Sequence, residues 1–270
     1  MSERQEIREA KRLSPRLIYE VIRRDGDEEL ERPARSLIWS GIAAGMLISF
    51  SVIGEAIFRT YLPEADWRFL IENLGYSFGF LLVILGRMQL FTENTITTIL
   101  PLVAERSRTC LLAVLRLWAT VLTANIVGAL IAAVFMSHSG VFDATIMPAL
   151  ISLSEHATGF APWQAFLKAI PAGILIAAIV WMMPGQTGND VVLVIAFTWL
   201  IAAGDFTHII AGSVEMWMLL VDGSLGVGPA VFSFFLPVLL GNVVGGTAVF
   251  AFLAYGQVSS EIDEASAHQA

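Results

Sequence analysis

The chain has 270 residues, 56% of them hydrophobic and only 15% charged, with a formal net charge of −8 and a mean hydropathy of +0.70. Soluble domains carry about 25% charged residues, so this composition excludes an ordinary soluble fold and points to a membrane protein. The single cysteine, Cys110, excludes an internal disulfide and a cysteine-based metal cluster, and an acidic balance without a basic stripe excludes a nucleic-acid partner.

Residues 1–35 hold nine of the sixteen Lys and Arg, beside nine Asp and Glu, and no apolar core of a secretory signal. They read as a cytoplasmic tail. Ser14 as N-cap and Pro15 in the first turn predict a short amphipathic, solvated or interfacial helix that runs to Arg24 and stops at Asp25-Gly26. Residues 36–257 read as a membrane domain, and 258–270 as a second cytoplasmic tail.

A helix needs about 20 apolar residues to cross a bilayer. Ser36 to Gly54, Leu111 to Met136, Phe166 to Met183 and Pro229 to Tyr255 meet that need and predict the first, third, fourth and sixth spans. The second and fifth regions differ. Asn73 to Gly86 is an uncharged run of 14 residues ended by Arg87, and apolar character resumes from Asn94 to Ala104 after Glu93. Val191 to Gly204 is another run of 14, ended by Asp205 and resuming at Ile209. Short hydrophobic segments interrupted at corresponding places in two halves point to a binding site at the membrane midplane.

The halves also match in letters. Leu90-Phe91-Thr92-Glu93 corresponds to Asp205-Phe206-Thr207-His208 at an offset of 115, Asn125-Ile126-Val127-Gly128 to Asn242-Val243-Val244-Gly245 at 117, and Ala44-Gly45 to Ala172-Gly173 at 128. Three spans per half is an odd number, so the second half enters from the opposite side. The predicted fold is an all-α integral membrane protein, six transmembrane helices in a 3+3 inverted repeat with helices 2 and 5 broken. Twelve basic residues on one side of the spans against three on the other place both termini in the cytoplasm.

Leu90-Phe91-Thr92, the stretch Gly204-Asp205-Phe206-Thr207-His208-Ile209-Ile210-Ala211, and Gly241-Asn242-Val243-Val244-Gly245-Gly246 together resemble the formate/nitrite transporter family over about residues 30 to 257, in a divergent branch of it. The resemblance implies an aquaporin-like protomer, a homopentamer in the bacterial inner membrane, and one pore per protomer. It also implies that His208 is the central pore histidine with Thr92 as its partner, flanked by Phe91, Phe206 and Thr207, and that constrictions fall near Tyr76, Phe80 and Ile201. Thr207 stands where the family has glutamate, Gly212 and Gly173 where it has asparagines, and His156 or Ala157 lies nearest a missing lysine.

The residues themselves support a pore. An ion in a low-dielectric path carries a prohibitive desolvation cost and tends to neutralise instead. A histidine, which titrates near physiological pH, offers a proton or hydrogen bond to a small anion or weak acid. The expected function is a channel for such species, with direction set by the gradients and with no cofactor. No nucleotide-binding loop and no hydrolase or metalloprotease motif occurs, so an enzyme is not expected. A pore for small neutral solutes and a non-transporting membrane protein are the alternatives. Asp205 and His208 make too poor a ligand set for a metal. Arg87, Glu93 and Asp205 are candidate gating or electrostatic residues, and Arg87 is expected to fold back onto Glu93 as an ion pair behind the pore wall, tying the loop down or forming a gate.

Overall fold

The structure, a computed structural model, describes residues 13–186 and 188–267, and among these every regular element is helical. Helix α1 spans Pro15–Glu31. It starts where the sequence predicts, with the Ser14 hydroxyl accepting from the Leu17 N–H. It does not stop at Asp25-Gly26. Gly26 lies against the Thr97 carbonyl and Pro101, where any side chain would collide. The glycine therefore serves close packing rather than a turn. Arg23, bonded to Glu20 at 2.9 Å and Asp27 at 2.8 Å, bridges this stretch. Tyr19 and Ile22 are buried in a cluster with Ile96, Ile99 and Leu100, so α1 is docked on the bundle rather than solvated.

Helix α2 is one run from Ala34 to Tyr61. The first span thus passes Gly54 and takes in Glu55 and Arg59, seven residues beyond the predicted end. Helix α3 covers Arg68–Leu85, its last turn, Leu81–Leu85, widened to π-helical geometry. After a break come α4 (Phe91–Thr97) and α5 (Ile99–Glu105), then α6 (Arg108–His138). Helix α7 (Met147–Thr158) was not anticipated; at twelve residues, with Glu155 and His156, it has no spanning signature. Helices α8 (Pro162–Gly185) and α9 (Asp190–Ala203) follow, then a second break, α10 (Ile209–Asp222) and α11 (Val227–Glu261). Five of these, α2, α3, α6, α8 and α11, are long and apolar enough to cross a membrane, and α9 is a shorter apolar helix.

Two helix pairs form the frame. Gly45 of α2 lies against the Asn125 backbone, and Gly128 of α6 against the Ile42 carbonyl. In the same way Gly173 of α8 lies against the Asn242 backbone, and Gly245 of α11 against the Ile170 carbonyl. Small residues at such crossings let helix backbones touch, the usual means of packing where lipid removes the hydrophobic drive. Leu112 and Phe135 on α6, and Phe232 and Leu253 on α11, are exposed. An outer surface this apolar suits hydrocarbon or another subunit rather than water.

Candidate functional site: two cavities on either side of the helix breaks

Both breaks are built alike. Arg87 and Asp205 carry positive φ values of 51° and 53°, a conformation that costs a non-glycine residue about 1–3 kcal/mol unless its surroundings hold it. They are 118 residues apart. An asparagine from the neighbouring long helix then holds each new helix start. Asn125 Oδ1 accepts from the Phe91 N–H at 2.9 Å, while its Nδ2 donates to the carbonyls of Gly41 and Gln89, both at 2.8 Å. Asn242 Oδ1 accepts from the Ile209 N–H at 2.8 Å, and its Nδ2 donates to Ala169 at 2.8 Å and Thr207 at 3.0 Å. The structural register of the breaks is therefore 118, with Phe91 matching Ile209 and Leu90 matching His208. The letter match at 115 is three residues out of step: Phe91 opens a helix, whereas Phe206 lies in the loop.

His208 is the N-cap of α10, its Nδ1 accepting from the Ala211 N–H at 3.3 Å. Its Nε2 lies 2.8 Å from Thr92 Oγ1 in the first turn of α4. A neutral imidazole has one donor and one acceptor nitrogen, so with Nδ1 accepting, the network assigns the hydrogen to Nε2, which donates to Thr92. Phe80 meets the His208 ring edge-on at 5.0 Å between centroids, and Tyr76 lies 5.2 Å from Phe80.

Two cavities flank this cluster. The first, about 220 Å³, is lined by Glu55, Tyr76, Asp205, Phe206, Thr207, His208 and Glu215, with Arg59 and His156 at its wall. The second, about 580 Å³, is lined by Asp25, Glu28 and Glu29 of α1 and by Arg87, Gln89, Glu93 and Asp190. They lie at opposite ends of α3, which meets the first through Phe69 and Tyr76 and the second through Ile84 and Leu85. Phe80, one turn from Tyr76 and one from Ile84, and Thr92 line neither cavity and sit between residues that do.

Of the other expected pore residues, Phe91 packs edge-on against Trp118 at 5.6 Å, and Ile201 is fully buried; neither lines a cavity. The expected Arg87–Glu93 pair is absent: among the described residues no hydrogen bond or ion pair joins them. Arg87 is exposed, and Glu93 sits in the first turn of α4. Asp205 is instead held by His156 at 2.9 Å and Lys168 at 3.9 Å, tying the second break to α7 and α8. Among the described residues no group of three or more side chains could hold a metal.

Glu55 and Glu215, which are not among the expected pore residues, are both buried and both line the first cavity. Glu215 is the one charge between Ile209 and Val221, which was a visible signal. Glu55 directly follows the stretch taken as the first span, and its place inside the helix becomes visible only with the structure.

An apolar-surfaced helical bundle with cavities at both ends and a buried aromatic and polar plug between them is the layout of a transmembrane transport protein. A formate/nitrite transporter family model matches residues 16–256. The inner membrane protein YfdC of Escherichia coli is 41% identical over 245 residues, covering 91% of this chain and 79% of that protein. The formate channel FocA of Haemophilus influenzae is 27% identical over 246 residues, covering 80% and 84%. Among solved structures, a pentameric formate channel with formate bound superposes with a TM-score of 0.73 at 22% identity, covering 84% of this chain and 97% of that one. An ion channel of the same family gives 0.75 at 16%, covering 89% and 98%. The chain belongs to the formate/nitrite transporter family, a family of channels and transporters, and shares the fold of its solved channels. Its likeness to YfdC fits the divergent branch expected from the sequence.

Proposed function

We propose that the protein is a bacterial inner-membrane channel passing small monovalent anions or weak acids of the formate or nitrite kind. The path runs from the first cavity, past Phe80 and the Thr92–His208 pair, to the second. The observation that carries this reading is that pair: a 2.8 Å polar contact beneath an aromatic ring, between cavities at opposite ends of α3. Phe80 excludes hydrated ions, and the Nε2–H of His208 and the Thr92 hydroxyl replace hydration for a species small enough to displace the ring. Passage is proton-linked, because a bare anion in this buried stretch faces the full desolvation cost. Relatives named as formate channels support the substrate class.

The frame is read as two inverted three-span repeats forming the domain 36–257 between the two tails, supported by the matched breaks, asparagines and glycines of the two halves. Both termini lie in the cytoplasm, which makes the second cavity the inner one. Five protomers assemble around a shared axis through the exposed apolar faces of α6 and α11; the pentameric state of the solved formate channel supports the number.

A neutral-solute pore is the second reading. It is favoured by the inner cavity, whose wall sets Asp25, Glu28, Glu29, Glu93 and Asp190 against Arg87 alone. Proteoliposomes loaded with a pH-sensitive dye separate the two: formate and nitrite should enter with a change in internal pH and glycerol should not. Glycerol entry without formate entry would establish the second reading in place of the first.

A further inference from the structure

We propose that Glu55 and Glu215 form a proton-loading site in the outer cavity, which hands its proton to an arriving carboxylate before the central constriction. The proposal rests on the weak-acid reading above and names the source of its proton.

Geometry first removes His208 from that role. Both ring nitrogens are engaged, Nε2 with Thr92 and Nδ1 as the acceptor that caps α10. Giving up the Nε2 hydrogen from the neutral ring would leave an imidazolate, since Nδ1 carries none. Placing another on Nδ1 sets two N–H groups face to face and uncaps the helix. The ring can offer a hydrogen bond in passing, yet it is poorly placed to lose and regain a proton at every turnover.

The two glutamates are placed for that work. Glu55 is 9% exposed and Glu215 7%, and both face the cavity that His208 closes. Among the described residues neither carboxyl group has a hydrogen-bond or ion-pair partner. The nearby basic groups are committed elsewhere. Arg59, one turn from Glu55 on α2, is bonded to Glu72 of α3 at 2.7 Å, and Arg68 lies 3.3 Å from the other oxygen of Glu72. From α7 and α8, His156 and Lys168 both go to Asp205. Tyr76 supplies a second, independent observation. Tyr76 is 7% exposed, lines the same cavity, and its hydroxyl has no hydrogen-bond partner among the described residues. A hydroxyl left free beside two free carboxyl groups is suited to relay a proton or to hold one end of a carboxylate substrate.

The step balances simply. The O–H bond of a protonated glutamate breaks, an O–H bond forms on the substrate carboxylate, and the neutral acid moves past Phe80. The glutamate, now a carboxylate, takes its next proton from water on the outer side. A buried carboxyl group without a partner is costly as a fixed charge, which gives such residues a functional meaning by default inside a membrane. Thr207, which precedes His208, lines the same cavity.

The test compares wild type, Glu55→Gln, Glu215→Gln and His208→Asn in proteoliposomes, with formate flux followed from acid to neutral pH. At acid pH formic acid arrives already protonated and the glutamine variants should approach wild type. At neutral pH they should lose roughly a hundredfold, the lower range for a positioned proton donor. His208→Asn should lower flux at every pH and keep the wild-type pH profile. Glutamine variants with an unchanged profile, or a flattened profile in His208→Asn alone, would overturn the proposal. Infrared spectra of the same proteins at neutral pH separate this outcome from failure of the channel reading. A protonated-carboxyl band lost in the two glutamine variants supports the site even if wild type moves no formate, and absence of that band from wild type refutes it.

Discussion

Asn125 and Asn242, 117 residues apart, make the same three hydrogen bonds, each accepting from the first N–H of a half-helix and donating to two carbonyls. Both side chains are fully buried. Each asparagine ties a break to a long helix of its own half, so the breaks are rigid features rather than frayed ends.

Asn125→Ala and Asn242→Ala should therefore be among the most damaging single changes in the chain. Each strands one N–H and one loop carbonyl, that of Gln89 or of Thr207, at about 1–3 kcal/mol for each group left unpaired in a buried site. Thermal unfolding in mild detergent should show large and similar losses for the two variants. A loss confined to one of them would mean that the two breaks are not equivalent.

Gly26→Leu should detach α1 without disturbing the membrane helices, because the added side chain would meet the Thr97 carbonyl and Pro101. Hydrogen exchange should rise across Pro15–Glu31 and stay unchanged in α6 and α8. Unaltered protection of α1 would show that its docking does not depend on that close approach.

Much of the architecture was legible in the sequence, because lipid imposes a length on every span and charges interrupt the apolar runs where the helices break. The first break, between Gly86 and Phe91, and the second, at Asp205, fall where the runs end. What stayed hidden depended on partners distant in the sequence. Nothing local tells that Gly26 meets Thr97, that Asp205 reaches His156 and Lys168, or that Arg87 leaves Glu93 unpaired. The Phe-Thr letters at 91–92 and 206–207 misled because similar residues occupy different steps of the two breaks. His208 stands out in the sequence by its position at an interruption, whereas Glu55 is hidden beside an apparent span end.

Acid should loosen α1 before it affects the bundle. Hydrogen bonding to Arg23 lowers the Glu20 carboxyl from its ordinary 4.5 to about 2. A depressed carboxyl contributes stability that is present above 4.5 and is lost as pH falls towards 2. Exchange protection of α1 should therefore be flat at neutral pH and decline through that acid window. Glu20→Gln should remove the decline, and a decline of equal size in that variant would assign it to other groups.

Arg87→Ala should leave stability within about 0.5 kcal/mol of wild type, as expected of an exposed side chain with no ion-pair partner among the described residues. Its positive φ makes Arg87→Gly equally well tolerated or better. Glu93→Gln should preserve or raise anion flux, since it removes an ionisable carboxyl group from the inner cavity wall. Loss of transport in Glu93→Gln would give that carboxylate a direct part and favour the neutral-solute reading.

The most direct test of the channel path is formate flux through wild type and Phe80→Trp reconstituted side by side. Phe80 stands between the cavities against His208, so a larger ring should close the path while the fold and the assembly persist. The account predicts formate entry in wild type and its loss in Phe80→Trp. Formate entry that is unchanged by the tryptophan, or absent from wild type, would contradict it.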